Sequence, residues 1–335
     1  MDILVVHTGG TISCEEANGV LAPKKNIVPI FHQIAKELMP TLKIKFTHKK
    51  LSPILSENLN GSHLVKIANE VQKGLLANKY SGVIVTHGSD TIAYTSALLS
   101  YIFGTTSRPV VTVCADLPLS DPHSSGHTNL RAAAILAASN ERGVFSVYRD
   151  TEHSALIHRG SRLLRHRAYE TELSSVVPYG KVIMIAPENP KIIKDPRYSE
   201  ASDELIFDIP KLKKTSDVAY ITVYPGMVYP TVSRSCKAVI LGSYHSGTLD
   251  TAASQTVKFA KFCKKRDIPI FVDGIGTESD YESMSAYSPL GLTRLPPLLS
   301  PCAAYIKLWL LTEKGEKELT EMLYRSCGGD IIPQK

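Results

Sequence analysis

The hydrophobic residues of this chain form short, nearly continuous runs that alternate with longer segments of helical spacing. Leu64, Ile67 and Val71, for example, recur every three or four positions, which is typical of a helix that buries one face. Strands that are apolar throughout are typical of parallel sheets covered on both faces. The pattern therefore predicts an α/β fold with a mostly parallel sheet. Six strands are predicted in this part, at Ile3–Val6, Ile44–Phe46, Val83–Thr86, Val110–Val113, Val144–Tyr148 and Val182–Ile185.

A change in composition divides the chain. Residues 189–214 are rich in charge and proline, which is typical of a linker on the surface. A second α/β unit follows, and Glu313–Arg325 predicts a charged amphipathic helix. We expect a larger N-terminal domain over residues 1–188 and a smaller C-terminal α/β domain over 215–335. The elements predicted in the second unit are the strands Val218–Val223, Ala238–Leu241 and Ile268–Val272 and the helix Thr251–Lys264.

Composition narrows the class of protein. The 335 residues suffice for two cores, and 43% hydrophobic with 21% charged residues is typical of a soluble globular protein. The net charge of +6 is spread along the chain without a nucleic-acid-binding motif, so we expect no nucleic-acid partner. No apolar run reaches the roughly 18 residues of a membrane span. With no secretory signal and no cysteine pattern for metal or disulfides, the sequence predicts a cytoplasmic protein with free thiols and no metal.

The first candidate site is the string HTGGTI at residues 7–12, which directly follows the first predicted strand. Two glycines permit unusual backbone dihedrals and the close approach of a ligand. The Thr11 hydroxyl is a weak nucleophile that needs a nearby base and oxyanion donors. Taken alone, the string is better interpreted as a tight turn whose threonines bond to the backbone. A phosphate site is not indicated, because neither the Walker pattern nor GxGxxG is present.

The second candidate site is the string THGSDT at residues 86–91, which follows another predicted strand. Ligands of open α/β sheets bind outside the carboxyl ends of the strands, so we expect both strings at one edge. A helix N-terminus would keep Asp90 ionised to accept a substrate ammonium group, while Ser89 holds a water or relays a proton. The simpler interpretation is that one of these two residues caps the helix. We interpret His87 as a structural residue.

Together the two strings resemble the bacterial-type L-asparaginase/glutaminase family, whose fingerprints are a TGGTI turn and a later HG-T-D-T turn. Three further segments are similar to that family in the same order. They lie where the family has its substrate-binding serine, the segment before the next helix and the first strand of its C-terminal domain, at Leu55–Asn58, Pro118–Leu130 and Tyr220–Gly226. The similarity covers nearly all of the chain, and the pair of turns is specific although neither would be alone.

The resemblance implies an amidohydrolase with a threonine nucleophile and no metal or organic cofactor. Thr11 would form the acyl-enzyme, and Ser56 would hold the α-carboxylate of the substrate. Asp90 would hold its α-amino group, and Ser89 would replace the family's second threonine, which positions or activates the water. The residues expected in catalysis are Thr11, Ser89, Asp90 and Arg165. Those expected to contact substrate are Gly10, Ser56, Glu57, Gly88, Ser89, Asp90 and Thr248.

One departure from the family pattern concerns its catalytic lysine. The string RGSRLLR at residues 159–165 aligns with RGxRxxK and places Arg165 at the lysine position. Because arginine stays protonated in proteins, Arg165 cannot act as a general base. It can pair with Asp90, orient Ser89 or stabilise an anion. A surface arginine without a catalytic role is an equal alternative.

Other departures concern the lid and the neighbouring subunit. The family places a tyrosine in the lid after the nucleophile, but no tyrosine lies between Thr11 and Pro29. The glutamate that supports that tyrosine is replaced near Cys302.

Thr248 stands where the family often supplies an asparagine from another subunit, and His245 is a replacement acid or base or else a structural residue. Loss of a positioned base costs about 100- to 10,000-fold in rate.

These observations favour an asparaginase that converts L-asparagine and water to L-aspartate and ammonia through a Thr11 ester. The resemblance implies a homodimer or homotetramer with a small-molecule amino-acid substrate. Two alternatives stay open: a catalytically weakened amino-acid-binding or regulatory homologue, and an amidase on a different small amide. A fourth, the amidotransferase subunit that shares this fold, carries an extra domain before its TGGT turn. We set it aside because the turn here begins close to Met1.

Overall fold

The computed structural model of the chain describes residues 1–23, 26–38, 41–184, 189–200, 203–274 and 280–333. The elements before residue 200 are β1 (Asp2–Gly9), β2 (Cys14–Ala17), β3 (Val20–Pro23), α1 (Val28–Leu38), β4 (Lys45–Ile54), α2 (Gly61–Leu76), β5 (Gly82–Thr86), α3 (Ile92–Phe103), β6 (Pro109–Val113), α4 (Ser125–Ala137), β7 (Gly143–Thr151), β8 (Ser154–Arg159), β9 (Gly180–Ile183) and β10 (Lys191–Lys194). Those after residue 200 are β11 (Val218–Thr222), β12 (Ala238–Gly242), α5 (Ser254–Lys265), β13 (Ile270–Val272), α6 (Tyr287–Leu290), β14 (Leu292–Arg294), α7 (Pro301–Lys314) and α8 (Leu319–Tyr324).

The strands form one large sheet and one small sheet, plus a hairpin of β2 and β3. The large sheet has eight strands in the order β10-β9-β8-β7-β6-β5-β1-β4. Its strands from β4 to β7 are parallel, and β8, β9 and β10 continue the sheet in antiparallel pairs. The small sheet has four parallel strands in the order β11-β12-β13-β14. The predicted α/β class, with a larger first sheet and a smaller second one, is confirmed.

Both faces of the large sheet are covered, as its apolar strands require. Successive residues of β1 point to opposite faces. Ile3 and Val5 pack in the core that contains residues of α1 and α4, whereas Leu4 and Val6 pack in the core that contains residues of α2 and α3. A strand between two such layers has no solvent face, which explains why its sequence does not alternate between apolar and polar residues.

The predicted strands agree with the observed ones except at their ends. Of the strand predicted at Val182–Ile185, Ile185 lies outside the described residues. Several elements were missed, among them α1, β8 and α7. The helix α7 is buried on nearly all sides, from Cys302 to Thr312, and so has no polar stripe that would reveal a helical period.

Two predicted segments differ from the structure. The proposed surface linker contains β10, which pairs with β9 and forms the edge of the large sheet. The charged helix predicted at Glu313–Arg325 is wrong as a single element. The helix α7 ends at Lys314, where Gly315 with a left-handed φ of 75° closes the last turn, and α8 begins at Leu319.

A buried ion pair fastens the end of the described chain to the interior. The Lys307 ammonium lies 2.9 Å from the Asp330 carboxylate, and both side chains are fully buried. The Tyr101 hydroxyl donates to the same carboxylate, and Lys307 also donates to the carbonyl of Leu323. Removing one partner of such a pair would leave an uncompensated buried charge, at a cost of about 3–5 kcal/mol.

We predict that His158 makes the stability of the fold sensitive to mild acid. Its ring is buried in β8, and burial lowers its pKa from 6.5 to about 4, so the folded protein holds it neutral. The unfolded chain protonates it below about pH 6.5, so its contribution to stability is present above that pH and lost as the pH falls. Lowering the pH from 7 to 5.5 should cost about 1 kcal/mol through this residue alone.

Urea unfolding at the two pH values measures this cost. The His158→Gln variant, which does not titrate, should lose about 1 kcal/mol less than the unmodified chain over the same interval. The exposed His123→Gln variant is the control. An identical pH dependence in the His158→Gln variant and the unmodified chain would contradict the assignment.

Candidate active site

Three turns meet at one edge of the large sheet, where the adjacent strands β5, β1 and β4 end. The turn after β1 carries Gly10 and Thr11, the turn after β4 carries Ser56, and the turn after β5 carries Ser89 and Asp90. Because these strands are parallel neighbours, their carboxyl ends lie side by side. The two strings that the sequence analysis singled out are thus brought together in space.

The approach between the first and third turns depends on two glycines. Gly10 has a left-handed φ of 78°, and its amide donates to the carbonyl of Ile54 at 3.0 Å. A β-carbon on Gly10 would lie 2.5 Å from the α-carbon of Gly88, and one on Gly88 would lie 2.5 Å from the Ser56 hydroxyl oxygen. Any side chain at these positions would therefore push the turns apart.

Ser56 and Asp90 form a polar pair across this edge. The Ser56 hydroxyl donates to the Asp90 carboxylate at 3.1 Å, and the Thr91 hydroxyl donates to the carbonyl of Ser56 at 2.9 Å. Ser56 is buried, whereas Asp90 is exposed and Ser89 is partly exposed. The arrangement offers a carboxylate to solvent beside the hydroxyl of a serine whose backbone is anchored by Thr91. It is suited to a ligand that carries both a positive and a negative group.

His87 holds the third turn in place from beneath. Its ring is buried, with one nitrogen 2.9 Å from the carbonyl of Gly88 and the other 2.8 Å from the hydroxyl of Thr95. Burial lowers the pKa of His87, which keeps the ring neutral. With both ring nitrogens engaged by the protein, His87 serves the structure, as the sequence indicated.

Thr11 begins a single 3-10 turn after Gly10 and is partly exposed. In the described part of the chain, no hydrogen bond to the Thr11 hydroxyl is present. The residues that follow it, where the family has its lid, form the hairpin β2–β3. Asn18 and Gly19 both have positive φ at its tip, which is the geometry of a type I′ turn.

The hairpin is fastened beside the turn that carries Gly10 and Thr11. The Cys14 thiol donates to the carbonyl of Gly10 at 3.3 Å. Burial raises the pKa of that thiol, and the negative charge of Glu57 raises it further. Glu57 follows Ser56 in the short helix Ser56–Asn58, next to the predicted site.

Arg165 is exposed, and no ion pair with Asp90 or contact with Ser89 is found among the described residues. Its charge acts on two other groups: it opposes the burial that raises the pKa of Tyr94, and it does the same for the pKa of Cys302. Tyr94 belongs to the first turn of α3. Arg165 therefore lies beside the start of the helix that Asp90 precedes, without reaching the carboxylate.

Thr248 and His245 lie in the second domain, in the turn that follows β12. The carbonyl of Thr248 accepts from the amide of Tyr244 at 3.1 Å, which closes this turn. His245 is exposed and Thr248 partly exposed. The structure of the single chain shows no contact between these residues and Ser56 or Asp90 in the described ranges.

Sequence reasoning missed one residue that supports the site. The Thr91 hydroxyl anchors the Ser56 turn. This bond crosses between neighbouring turns, so no spacing within one string could reveal it. The Thr8 hydroxyl donates to the carbonyl of Thr86 at 2.6 Å, a bond to the backbone of the kind that the interpretation of the first string as a tight turn includes.

No metal or membrane feature accompanies the site. Across the described ranges, no cluster of three or more His, Cys, Asp or Glu residues is arranged to hold a metal ion. In the same ranges, no helix has the length and hydrophobicity needed to traverse a bilayer. All six cysteines are buried and unpaired.

Comparison with known proteins agrees with this architecture. Residues 2–198 match the family described as Asparaginase, N-terminal. A subunit of the glutamyl-tRNA(Gln) amidotransferase of Pyrococcus abyssi is 31% identical over 99% of this chain and 77% of that protein. The corresponding amidotransferase subunit of Methanopyrus kandleri is 33% identical over 57% of this chain and 43% of that protein.

Solved structures show the same fold. The thermostable L-asparaginase from Thermococcus kodakarensis superposes with a TM-score of 0.77 at 21% identity over 100% of both chains. L-asparaginase I from Vibrio cholerae gives a TM-score of 0.76 at 20% identity over 99% of both. The family match covers more than half of the sequence, so this two-domain α/β protein belongs to the asparaginase family.

We predict that Gly88→Ala lowers the stability of the protein by crowding the place where the turns meet. The new β-carbon would crowd the Ser56 side chain, and overpacking of this kind costs about 1–3 kcal/mol of stability. Urea unfolding of the variant measures the loss. The double variant Gly88→Ala/Ser56→Gly should recover part of it, because the crowded atoms are gone. Purely additive losses from the two substitutions would show that the turns do not touch.

Proposed function

We propose that the chain is an L-asparaginase-type amidohydrolase, which converts L-asparagine and water to L-aspartate and ammonia. The observation that supports this most is the pairing of Ser56 with Asp90 at 3.1 Å, next to the glycine contact that brings Thr11 to the same edge. Membership of the asparaginase family supports hydrolysis of an amide. The choice of L-asparagine rests on the recognition chemistry of the site.

Recognition of an α-amino acid follows from the two polar groups. Asp90 carries the negative charge that a substrate ammonium group requires, and it is exposed to solvent. The Ser56 hydroxyl donates to Asp90 and can rotate toward a substrate carboxylate. The Gly88 backbone lies against Ser56 and Gly10, which brings the two polar groups next to the turn that carries Thr11.

The reaction would proceed in two steps. The Thr11 oxygen attacks the carbon of the side-chain amide and loses its proton, and the amide nitrogen leaves as ammonia after taking up a proton. This step leaves an ester between Thr11 and the acyl group. A water positioned by Ser89 then attacks the ester, which releases L-aspartate and returns the hydroxyl to Thr11. The sequence of steps needs no metal or organic cofactor.

Proton transfer is the weak part of this site. The lid tyrosine of the family is absent, and arginine replaces its lysine, so neither customary group can accept the Thr11 proton. Without a positioned base we expect a rate about 100- to 10,000-fold lower than that of a site with both groups. The proposal is therefore a slow enzyme whose substrate recognition is intact.

Arg165 enters the proposal as a fixed positive charge beside the first turn of α3. We predict that Arg165→Met lowers kcat/KM by about 2- to 5-fold, as loss of an exposed charge interaction would. Arg165→Lys should retain most of the activity, because the charge is kept. The exposed Arg167→Met variant is the control for general effects on the segment. Equal activity in the Met and Lys variants would remove Arg165 from the proposal.

Thr248 is proposed to act from a neighbouring copy of the chain. It lies in the turn after β12 and makes no contact with Ser56 or Asp90 within the described part of one chain. The proposed assembly is a homodimer or homotetramer in which this turn closes the site of another protomer.

A second candidate function, which the sequence analysis set aside, is favoured by the names of the relatives. Both relatives described above are amidotransferase subunits, so the chain is also a candidate for a subunit that releases ammonia for a partner. Low ammonia release by the isolated chain that rises with a partner subunit would favour this candidate. A weakened amino-acid-binding protein is the third: it would bind L-aspartate without releasing ammonia.

The decisive experiment measures ammonia release from L-asparagine and from L-glutamine by the purified chain. We predict that Thr11→Ala lowers release by at least about 1,000-fold, because the nucleophile is lost. Thr11→Ser, which keeps a hydroxyl, should retain part of the activity. Equal release by the Thr11→Ala variant and the unmodified chain would contradict the proposed nucleophile.

A further inference from the structure

A cleft of about 460 Å³ lies between the two domains, behind the candidate active site. Its walls come from α2 and α3 on one side and from β11 and α7 on the other. Thr91 lines the cleft, and its hydroxyl donates to the carbonyl of Ser56. The cleft and the candidate site are therefore neighbours that share a wall. A volume of a few hundred Å³ is typical of sites for small molecules.

Aromatic rings form much of the lining. The rings of Tyr94 and Tyr305 meet edge to face at 5.7 Å and 83°, and those of Tyr305 and Trp309 meet at 5.9 Å and 62°. Tyr220 lines the cleft as well. Rings that already pack edge to face offer further faces and edges to another planar group, and each such pair contributes about 0.5–1.5 kcal/mol.

One polar group of the lining has no partner. Trp309 is 5% exposed, and its indole nitrogen is buried with no hydrogen-bond acceptor. Buried donors in folded proteins almost always have an acceptor, from the protein, from water or from a ligand. The Trp309 ring contributes to the lining beside Tyr305, while its nitrogen is closed off from the cleft.

Lys214 is the charged residue among the described residues that line the cleft, and none of the lining residues in the described chain is acidic. The carboxylate of Asp273 lies behind the lining, where it accepts from the Tyr220 hydroxyl at 2.8 Å. Lys214 has no carboxylate partner within the described ranges, whereas its neighbour Lys213 is 3.0 Å from Asp217. The amide of Gly61 donates to the carbonyl of Lys214 at 3.3 Å, which fixes this backbone at the start of α2.

We propose that this cleft is a second ligand site, separate from the candidate active site, and that it binds a small aromatic carboxylate. The ring of the ligand packs among Tyr94, Tyr305 and Trp309, and its carboxylate lies at Lys214. The proposal does not depend on the proposed hydrolysis of L-asparagine, because none of the groups that define the cleft takes part in that reaction.

Trp309 is the only tryptophan of the chain, so its fluorescence reports directly on the cleft. Phenylacetate is a suitable probe because it does not absorb where tryptophan alone is excited. We expect a saturable change in Trp309 fluorescence with a Kd of about 1 mM or lower. Acetate, which lacks the ring, and 2-phenylethanol, which lacks the charge, should bind more weakly.

Matched variants separate the two halves of the site. Lys214→Met should weaken phenylacetate binding about 2- to 5-fold, while Lys211→Met, an exposed lysine of the same segment outside the cleft, should leave it unchanged. Tyr305→Leu should weaken phenylacetate binding about 3- to 10-fold, whereas Tyr305→Phe, which keeps the ring, should bind phenylacetate as the unmodified chain does. The Thr11→Ala variant should bind phenylacetate as the unmodified chain does.

Three outcomes would overturn the proposal. The first is the absence of a saturable fluorescence change at phenylacetate concentrations well above the expected Kd. The second is equal binding by the Lys214→Met variant and the unmodified chain, which would exclude recognition of the carboxylate. The third is strict competition with L-aspartate, which would place the probe in the candidate active site instead.

Discussion

The contact between the backbones of Gly10 and Gly88 is the constraint on which the candidate site depends. A β-carbon on Gly10 would come within 2.5 Å of the Gly88 α-carbon, so the two turns can meet only without side chains. The contact is possible because β1 and β5 are parallel neighbours whose carboxyl ends share one edge. Once the turns meet, Ser56 is confined between them, and its hydroxyl has Asp90 as the partner in reach. The Ser56–Asp90 pair is thus a consequence of the backbone geometry.

Buried polar bonds keep this edge rigid from behind. The hydroxyl of Ser96 lies 2.7 Å from that of Thr112 and 3.1 Å from that of Ser146, which joins α3 to β6 and β7. His87 joins the third turn to the same helix through Thr95. The helix α3 in turn packs against α7 of the second domain. Fully satisfied buried networks of this kind specify one arrangement of the elements they join, so Asp90 is positioned by contacts that extend across both domains.

The sequence was sufficient to predict the elements whose pattern is local. Parallel strands such as Val83–Thr86 are apolar throughout, and Gly10 and Asp90 stand directly after strands. The sequence was not sufficient to predict elements and side-chain bonds that depend on tertiary contacts. The helix α7 is buried on nearly every side and lacks a polar stripe, and β10 lies in a segment whose prolines and charges indicate a linker. Likewise the side-chain bond of Thr91 reaches a residue far away in the chain, and the string left open whether Arg165 contacts Asp90 or lies on the surface, where the structure places it.

In the proposed function, substrate recognition and proton transfer depend on different parts of the fold. The residues of one part can therefore differ from the family pattern while those of the other part keep it. The Ser56–Asp90 pair depends on glycines that cannot be replaced without separating the turns, so backbone packing resists its loss. The proton-transfer groups of the family come instead from a lid and a neighbouring segment. Here those places hold the hairpin β2–β3 and the exposed Arg165, and neither is fixed by the glycine contact. In the proposed function, substitutions there would change the rate of hydrolysis and leave the Ser56–Asp90 pair in place.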